Sequence, residues 1–384
     1  MTVVYLDYAS SSPVDPRVLS YAGKYLTDDF GNASTLHSFG LKGKEALEEA
    51  RIRVARLVNA EDPSTIIFTG CATEANNLAI RGGGLRNRKM GTRVLSSAIE
   101  HISVQNPMKE LQKAGFEFAQ VPVDTMGIVD LSALEEKLDS ETVLTSINFA
   151  NDEIGTIQPI GEISRIVHEK GHLLHVNATA AAGKIPVDVQ GDDIDLLTLS
   201  SNEIYGPRGA AALYIKKGVK IQTILPGGGQ ERGLRSGTEN IFAIAGMGEA
   251  ARLAGEEMNA ESARLAKVRD GLIEEILTIE ESFLTGHPTQ RLPGHASFRF
   301  SRIEGESILL NLDMLFDIQV ATGSACTSRT LEASPTLLAI GLKHEEAHGS
   351  VVMTLGRSNT MDDIPVVAEG MRDTVKRLRD ISPL

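Results

Sequence analysis

The sequence predicts an α/β protein, a large domain on a mostly parallel sheet with a smaller α+β domain after it. Three observations carry that class. A chain of 384 residues is too long for one ordinary core. Short apolar runs of strand length alternate with amphipathic stretches of helix length through the first half. Beyond Asn240 the alternation gives way to one long helical stretch and then a different mixture of elements.

Taken in order, residues Leu41 to Leu57 place Leu47, Ala50, Val54 and Leu57 on one helix face, with charges between them. Thr65 to Thr69 reads as a buried strand that runs into a helix opening near Gly70-Cys71-Ala72-Thr73-Glu74. Further strands are expected at Arg93–Ser96, Phe116–Val123, Thr142–Ile147, Leu173–Val176, Asp195–Leu199 and Ala210–Ile215. Helices fall between them at His101–Lys113, Leu131–Leu138 and Ile160–Lys170. The stretch Asn240 to Leu277 carries the chain out of the large domain. It is followed by a strand at Ala296–Phe300, a helix from Glu304, and a last helix near Ala368–Arg379. The expected division is residues 13–256 for the large domain, and residues 1–12 with 257–384 for the small one. No period of repeat length recurs.

Composition narrows the function. With 42% hydrophobic and 23% charged residues the chain is an ordinary soluble globular protein. A net charge of −13 argues against nucleic acid as a partner. No apolar run reaches membrane-spanning length, and the N-terminus lacks the flanks of a signal peptide, so a cytoplasmic protein is expected. The two cysteines, Cys71 and Cys326, read as free thiols.

Two stretches carry chemistry on physical grounds. Gly70-Cys71-Ala72-Thr73 lies between a strand and a helix, where free N–H groups and the positive end of a helix dipole suit a phosphate. Leu199 to Gly209 is a polar loop ending in Gly-Pro-x-Gly between two buried strands, a usual place for a site. His344-Glu345-Glu346-Ala347-His348 formally matches the H-E-x-x-H zinc pattern. With no third-ligand motif downstream, it reads as a packing helix.

The chain resembles the cysteine desulfurases, the archaeal branch in particular, over essentially its whole length. The marks are Tyr5-Leu6-Asp7-Tyr8-Ala9, Gly31-Asn32-Ala33-Ser34, Ala72-Thr73-Glu74-Ala75-Asn76-Asn77, Glu100-His101 and Glu153-Ile154-Gly155-Thr156-Ile157-Gln158-Pro159. Later in the chain come Gly227-Gly228-Gly229-Gln230-Glu231, Arg235-Ser236-Gly237-Thr238, Gly323-Ser324-Ala325-Cys326-Thr327-Ser328 and Leu355-Gly356-Arg357. The resemblance implies the fold-type I architecture of pyridoxal phosphate (PLP) enzymes, with a seven-stranded sheet in the large domain. It implies a homodimer, L-cysteine as substrate, and an iron–sulfur scaffold protein as partner.

By the same resemblance Ala72, Thr73 and Ser200 would hold the cofactor phosphate, and Thr238 would reach it across the dimer interface. His101 would stack on the ring. Asn32 and Arg357 would bind substrate, Arg357 through a planar fork on its carboxylate. Cys326, in a run of small residues, would accept sulfur as a persulfide or ligate a shared iron–sulfur cluster. The ring-binding positions depart from the family. Asn177 stands where the family has an aspartate on the pyridine nitrogen, Ala180 for a glutamine, Asp152 for an asparagine and Asn202 for a histidine. Glu203 replaces the lysine that holds PLP as a Schiff base. A carboxylate cannot form an imine. It would also repel the cofactor, since like charges about 5 Å apart cost roughly 3 kcal/mol at an effective dielectric of about 20. The nearby Lys184 could stand in for that lysine, but it reads rather as a surface lysine leading into a strand.

Two principal functions follow from this pattern. In the first, a homodimer without lysine-dependent catalysis docks a scaffold protein and offers Cys326 to a nascent cluster. In the alternative, a working desulfurase binds PLP non-covalently and passes sulfur through Cys326. A third reading is a binding protein for another anionic ligand in the old cofactor pocket.

Overall fold

The structure, a computed structural model, describes residues 3–323 and 333–381. Its strands in chain order are β1 (Val4–Tyr5), β2 (Ile66–Thr69), β3 (Arg93–Ser97), β4 (Glu117–Val121), β5 (Thr142–Asn148), β6 (Leu173–Asn177), β7 (Leu196–Ser200), β8 (Ala211–Ile215), β9 (Ser282–Leu284), β10 (His295–Phe300), β11 (Ile318–Gln319) and β12 (Ser350–Thr354). The helices are α1 (Pro16–Ala22), α2 (Lys24–Thr27), α3 (Ser38–Leu57), α4 (Ala72–Asn87), α5 (Ile102–Lys113), α6 (Leu131–Lys137), α7 (Ile160–Glu169), α8 (Ile241–Ile276), α9 (Gly305–Phe316), α10 (Pro335–Ala339), α11 (His344–His348) and α12 (Asp363–Ile381).

The alternating apolar runs form a seven-stranded sheet in the order β2-β8-β7-β6-β5-β3-β4. Only β8 runs against its neighbours in it. Every residue of β5 and β8 is buried, as expected of strands covered by helices on both faces. Side chains alternate between two apolar layers: Ile66 and Phe68 meet one and Ile67 the other, and Leu197 and Leu199 oppose Leu196. Helix α3 packs on α8 so closely that a Cβ at Gly248 would lie 2.5 Å from Ala50 Cα, a contact only glycine permits.

A second apolar core gathers around the antiparallel sheet β12-β10-β9 and the pair β1-β11. Helices α9 and α12 cover it through Ile308, Leu312, Val367 and Met371. Helix α8 joins the two cores as one unbroken element of 36 residues. Residues Ile241 to Ala254 of it pack into the large core, and Leu265, Val268, Leu272 and Ile276 into the second. Between them Gly255 and Glu256 are exposed. No helix among the described residues is long and apolar enough to cross a membrane.

Two buried polar anchors set the strands that lead to the site. Arg51 on α3 grips Glu231 with two bonds of 2.8 Å, and Glu231 also accepts the Phe68 amide of β2 at 2.8 Å. Both side chains are at most 5% exposed, and the Arg51 guanidinium stacks on Phe68. Removing one partner leaves a bare buried charge, so Glu231→Ala is expected to lower stability by about 3–5 kcal/mol in urea unfolding. The second anchor is Glu100, just past β3, which accepts the Ser97 hydroxyl and the Asn148 amide at 2.6 Å each. Burial pushes its carboxyl from 4.5 up to about 8. The folded chain thus holds a proton that the unfolded chain has released. The associated stability is complete below about pH 4.5 and is lost as the pH rises to about 8. Glu100→Gln should flatten that loss in unfolding curves taken across the interval.

Candidate active site

Strands β2, β3, β5, β6 and β7 all point the same way, and each delivers site residues at or just past its C-terminal end. That edge of an open α/β sheet is where ligands bind. Between it and the second core lies a cavity of about 230 Å³. Thr73, His101, Asp152, Asn177 and Glu203 line the sheet side, each from a different strand end. Arg357 and the α8 residues Glu257 and Glu261 line the opposite wall.

Gly70 and Cys71 form a short turn between β2 and α4, the geometry in which a helix N-terminus is open to an anion. Cys71 is the N-cap of α4, and its side chain makes no capping bond. The amides of Ala72 and Thr73 take no acceptor among the described residues, and both residues line the cavity. Glu74 accepts the Gly70 amide at 2.6 Å and is held by Arg235 at 2.7 Å, so the acid in the first turn is turned back and paired.

His101 has two duties. It is the N-cap of α5, its Nδ1 accepting the Ser103 amide at 3.1 Å, and its ring also lines the cavity. An Nδ1 that accepts a backbone N–H leaves the ring proton on Nε2. Asn177 is oriented the same way. Its Oδ1 accepts both the amide and the hydroxyl of Thr179, at 3.3 and 2.6 Å, so its NH₂ group is the part left for a ligand. Asn148, which sequence reading missed, also lines the cavity and has a buried Oδ1 with no partner. Ala180 lines it without a polar group.

The structure corrects the reading of Lys184. It stands on a turn beside the cavity rather than at the surface before a strand, and its Nζ donates to Glu203 Oε2 at 2.7 Å. The Glu203 side chain is 11% exposed and that of Lys184 30%. Burial raises the Glu203 carboxyl above its usual range, and the Lys184 charge works against that rise. The repulsion expected from an isolated carboxylate is therefore offset by a cation at hydrogen-bond distance. Sequence spacing holds no sign of the pairing, because it depends on how two loops fold together.

Arg357 reaches the cavity with its fork already engaged. Nη2 binds Glu257 at 2.9 Å and Nη1 binds Asp15, while the guanidinium stacks 4.3 Å above the Tyr205 ring. Tyr205 holds the left-handed conformation, φ 63°, and its hydroxyl accepts the Arg357 amide at 3.1 Å. A hydrogen bond from Arg17 keeps the Asp15 carboxyl low, at about 2, so it stays ionised beside Arg357.

Other expected residues are not brought to this cavity. Ser200 ends β7 opposite Ala211, and Asn202 has a buried Oδ1 without a partner; neither lines the cavity. Asn32 is exposed and accepts the Ser34 amide, a turn contact rather than a substrate contact in the single chain. Thr238 is exposed as well. Cys326 lies outside the described residues. In the H-E-x-x-H segment Glu346 accepts the Lys343 amide and pairs with Arg299, a packing role. No metal-binding cluster occurs among the described residues.

The donor set fits pyridoxal phosphate. Uncapped amides suit its phosphate, the Asn177 NH₂ suits an unprotonated pyridine nitrogen, and the Lys184–Glu203 pair is neutral as a unit.

Residues 4–367 match the aminotransferase class-V family. The cysteine desulfurase IscS 1 of Archaeoglobus fulgidus is 52% identical over 380 residues, 99% of each chain. The cysteine desulfurase IscS of Methanosarcina thermophila is 44% identical over 381 residues, 99% of this chain and 94% of its own. Among solved structures, a NifS-like protein superposes with a TM-score of 0.92 at 33% identity, covering 98% of this chain and all of its own. The chain therefore belongs to the class-V aminotransferase family, on the fold-type I architecture of PLP enzymes and among relatives named cysteine desulfurase.

Proposed function

We propose that the chain is a PLP-dependent cysteine desulfurase of iron–sulfur cluster assembly that works without a lysine at position 203. The observation that carries this is the ion pair of Glu203 with Lys184, which offsets the charge that residue 203 would otherwise turn against the cofactor. The names of its relatives also favour an active desulfurase over the docking reading.

When bound, PLP supplies an electron sink for the carbon that bears the substrate's amino group. The chain's own residues do the rest. The α4 N-terminus with Thr73 binds the phosphate, and His101 covers the ring. The neutral donor of Asn177 gives the ring less help as a sink than a carboxylate would. Arg357 takes the carboxylate of L-cysteine by giving up Glu257 or Asp15. Cys326 receives the sulfur as a persulfide and hands it to a scaffold protein. In this proposal the protein is a cytoplasmic homodimer with Thr238 completing the partner's phosphate site, and the two apolar cores are its two domains.

Equilibrium dialysis with PLP, followed by assay of sulfide release from L-cysteine, tests the function. Binding with sulfide release lost in Cys326→Ala is expected. Absence of both would defeat the proposal. Because Arg357 must exchange partners, Glu257→Gln should lower the Kd for cysteine by about two- to five-fold, the worth of a half-exposed ion pair. Arg357→Ala should raise it by about ten-fold or more, as loss of a charged hydrogen-bonding group does. Isothermal titration of the PLP-loaded protein measures both.

A further inference from the structure

We propose that Lys184 supplies the amine that attaches PLP covalently, taking the part that the side chain at position 203 cannot. The inference rests on the cofactor-site reading above and adds to it the link and its residue.

Reach is the first support. A lysine side chain is one bond longer than a glutamate from Cα to its terminal polar atom. Lys184 Nζ lies 2.7 Å from Glu203 Oε2, and both residues line the same cavity. The ammonium thus stands close to where an amine carried by residue 203 would end, brought there from a different loop. Among the described residues lining the cavity, Lys184 is the one primary amine.

The backbone holds it there. Gly183 adopts φ 74°, and a Cβ on it would lie 2.6 Å from Ile204 Cγ2, on the turn that carries Glu203. The two turns therefore interlock. The Lys184 amide donates to Ala181 O at 3.0 Å, and its carbonyl accepts the Ser262 hydroxyl of α8. Such fixing of a long side chain at its base limits the rotamers it must give up to act.

The pair also provides the proton transfer that attachment needs. An ammonium is no nucleophile, and the carboxylate hydrogen-bonded to Lys184 is placed to take its proton. The freed lone pair of Nζ bonds to the aldehyde carbon of PLP, and the carbonyl electron pair moves to oxygen. That oxygen takes the proton from Glu203 and a second one from nitrogen, and leaves as water as the C=N bond closes. Ammonium and aldehyde give protonated imine and water, Glu203 returns to carboxylate, and nothing is oxidised or reduced. Burial of Glu203 raises its carboxyl, which makes it a better proton acceptor than an exposed glutamate.

The test uses the full chain incubated with one equivalent of PLP and then desalted. One portion is assayed for retained PLP. The other is reduced with borohydride, digested and mapped by mass spectrometry. A stable phosphopyridoxyl label on Lys184 is expected, with absorption at the edge of the visible before reduction. Lys184→Arg, which keeps the charge beside Glu203, should lose both. Glu203→Gln should slow the appearance of the band by about a hundred-fold, the scale of a lost general base. Retained PLP with no label on Lys184, or an unchanged band in Lys184→Arg, overturns the assignment and leaves the cofactor-site reading standing. No PLP retained by the unsubstituted chain overturns both. The position of the label in that chain decides the matter even if a variant fails to fold.

Discussion

Everything in this structure depends on helix α8 serving two cores at once. Its first turns pack through small residues on α1 and α3 within the large core, with α3 pressed to within glycine distance at Gly248. Its last turns carry Leu265, Val268, Leu272 and Ile276 into the second core. A rigid rod buried at both ends sets the second core over the carboxyl edge of the sheet, and the cavity is what remains between them. The middle of the rod, which neither core covers, contributes Glu257 and Glu261 to the cavity wall.

Most of the charges around that cavity are answered in pairs. Glu203 is answered by Lys184, and Arg357 by Asp15 and Glu257; Glu74 and Arg235 pair just outside the lining, while Asp152, which lines the cavity, has no ion-pair partner among the described residues. Ionised groups this close to an apolar interior are tolerated only with such partners, since desolvation of a lone charge costs several kcal/mol. The pairs differ in how readily they open. Glu257 is more than a third exposed and solvent can replace it beside Arg357, whereas Glu203 is nearly buried and keeps its cation. Substrate anions therefore have a natural landing place at Arg357, while Lys184 and Glu203 stay together as a largely buried acid–base pair.

Much of the fold was legible in the residues alone, because burial on both faces of a parallel sheet leaves an apolar run. The strands of the large sheet fall within a residue or two of the runs that announced them, and the long helix Asn240 to Leu277 is α8 almost to the residue. The short elements were not legible. β1, β9 and β11 span only two or three residues each, too few for any periodicity, and β1 and β11 owe their pairing to each other across most of the chain. Of the site, the phosphate cradle showed itself because a strand, a small-residue turn and a helix start are contiguous. His101 and Asn177 were visible as residues but not as donors, since their orientation depends on Ser103 and Thr179.

Position 203 marks the line between the two kinds of information. The residues by themselves determine that it is a glutamate in a lysine's place, and that no imine can form on it. Whether that glutamate stands as a bare charge or as half of an ion pair is decided only when Gly183 lets one turn nest against Ile204 of another. Covalent structure settles which groups are present. Their protonation, partners and reach depend on distances between segments far apart in the chain, and only folding sets those distances.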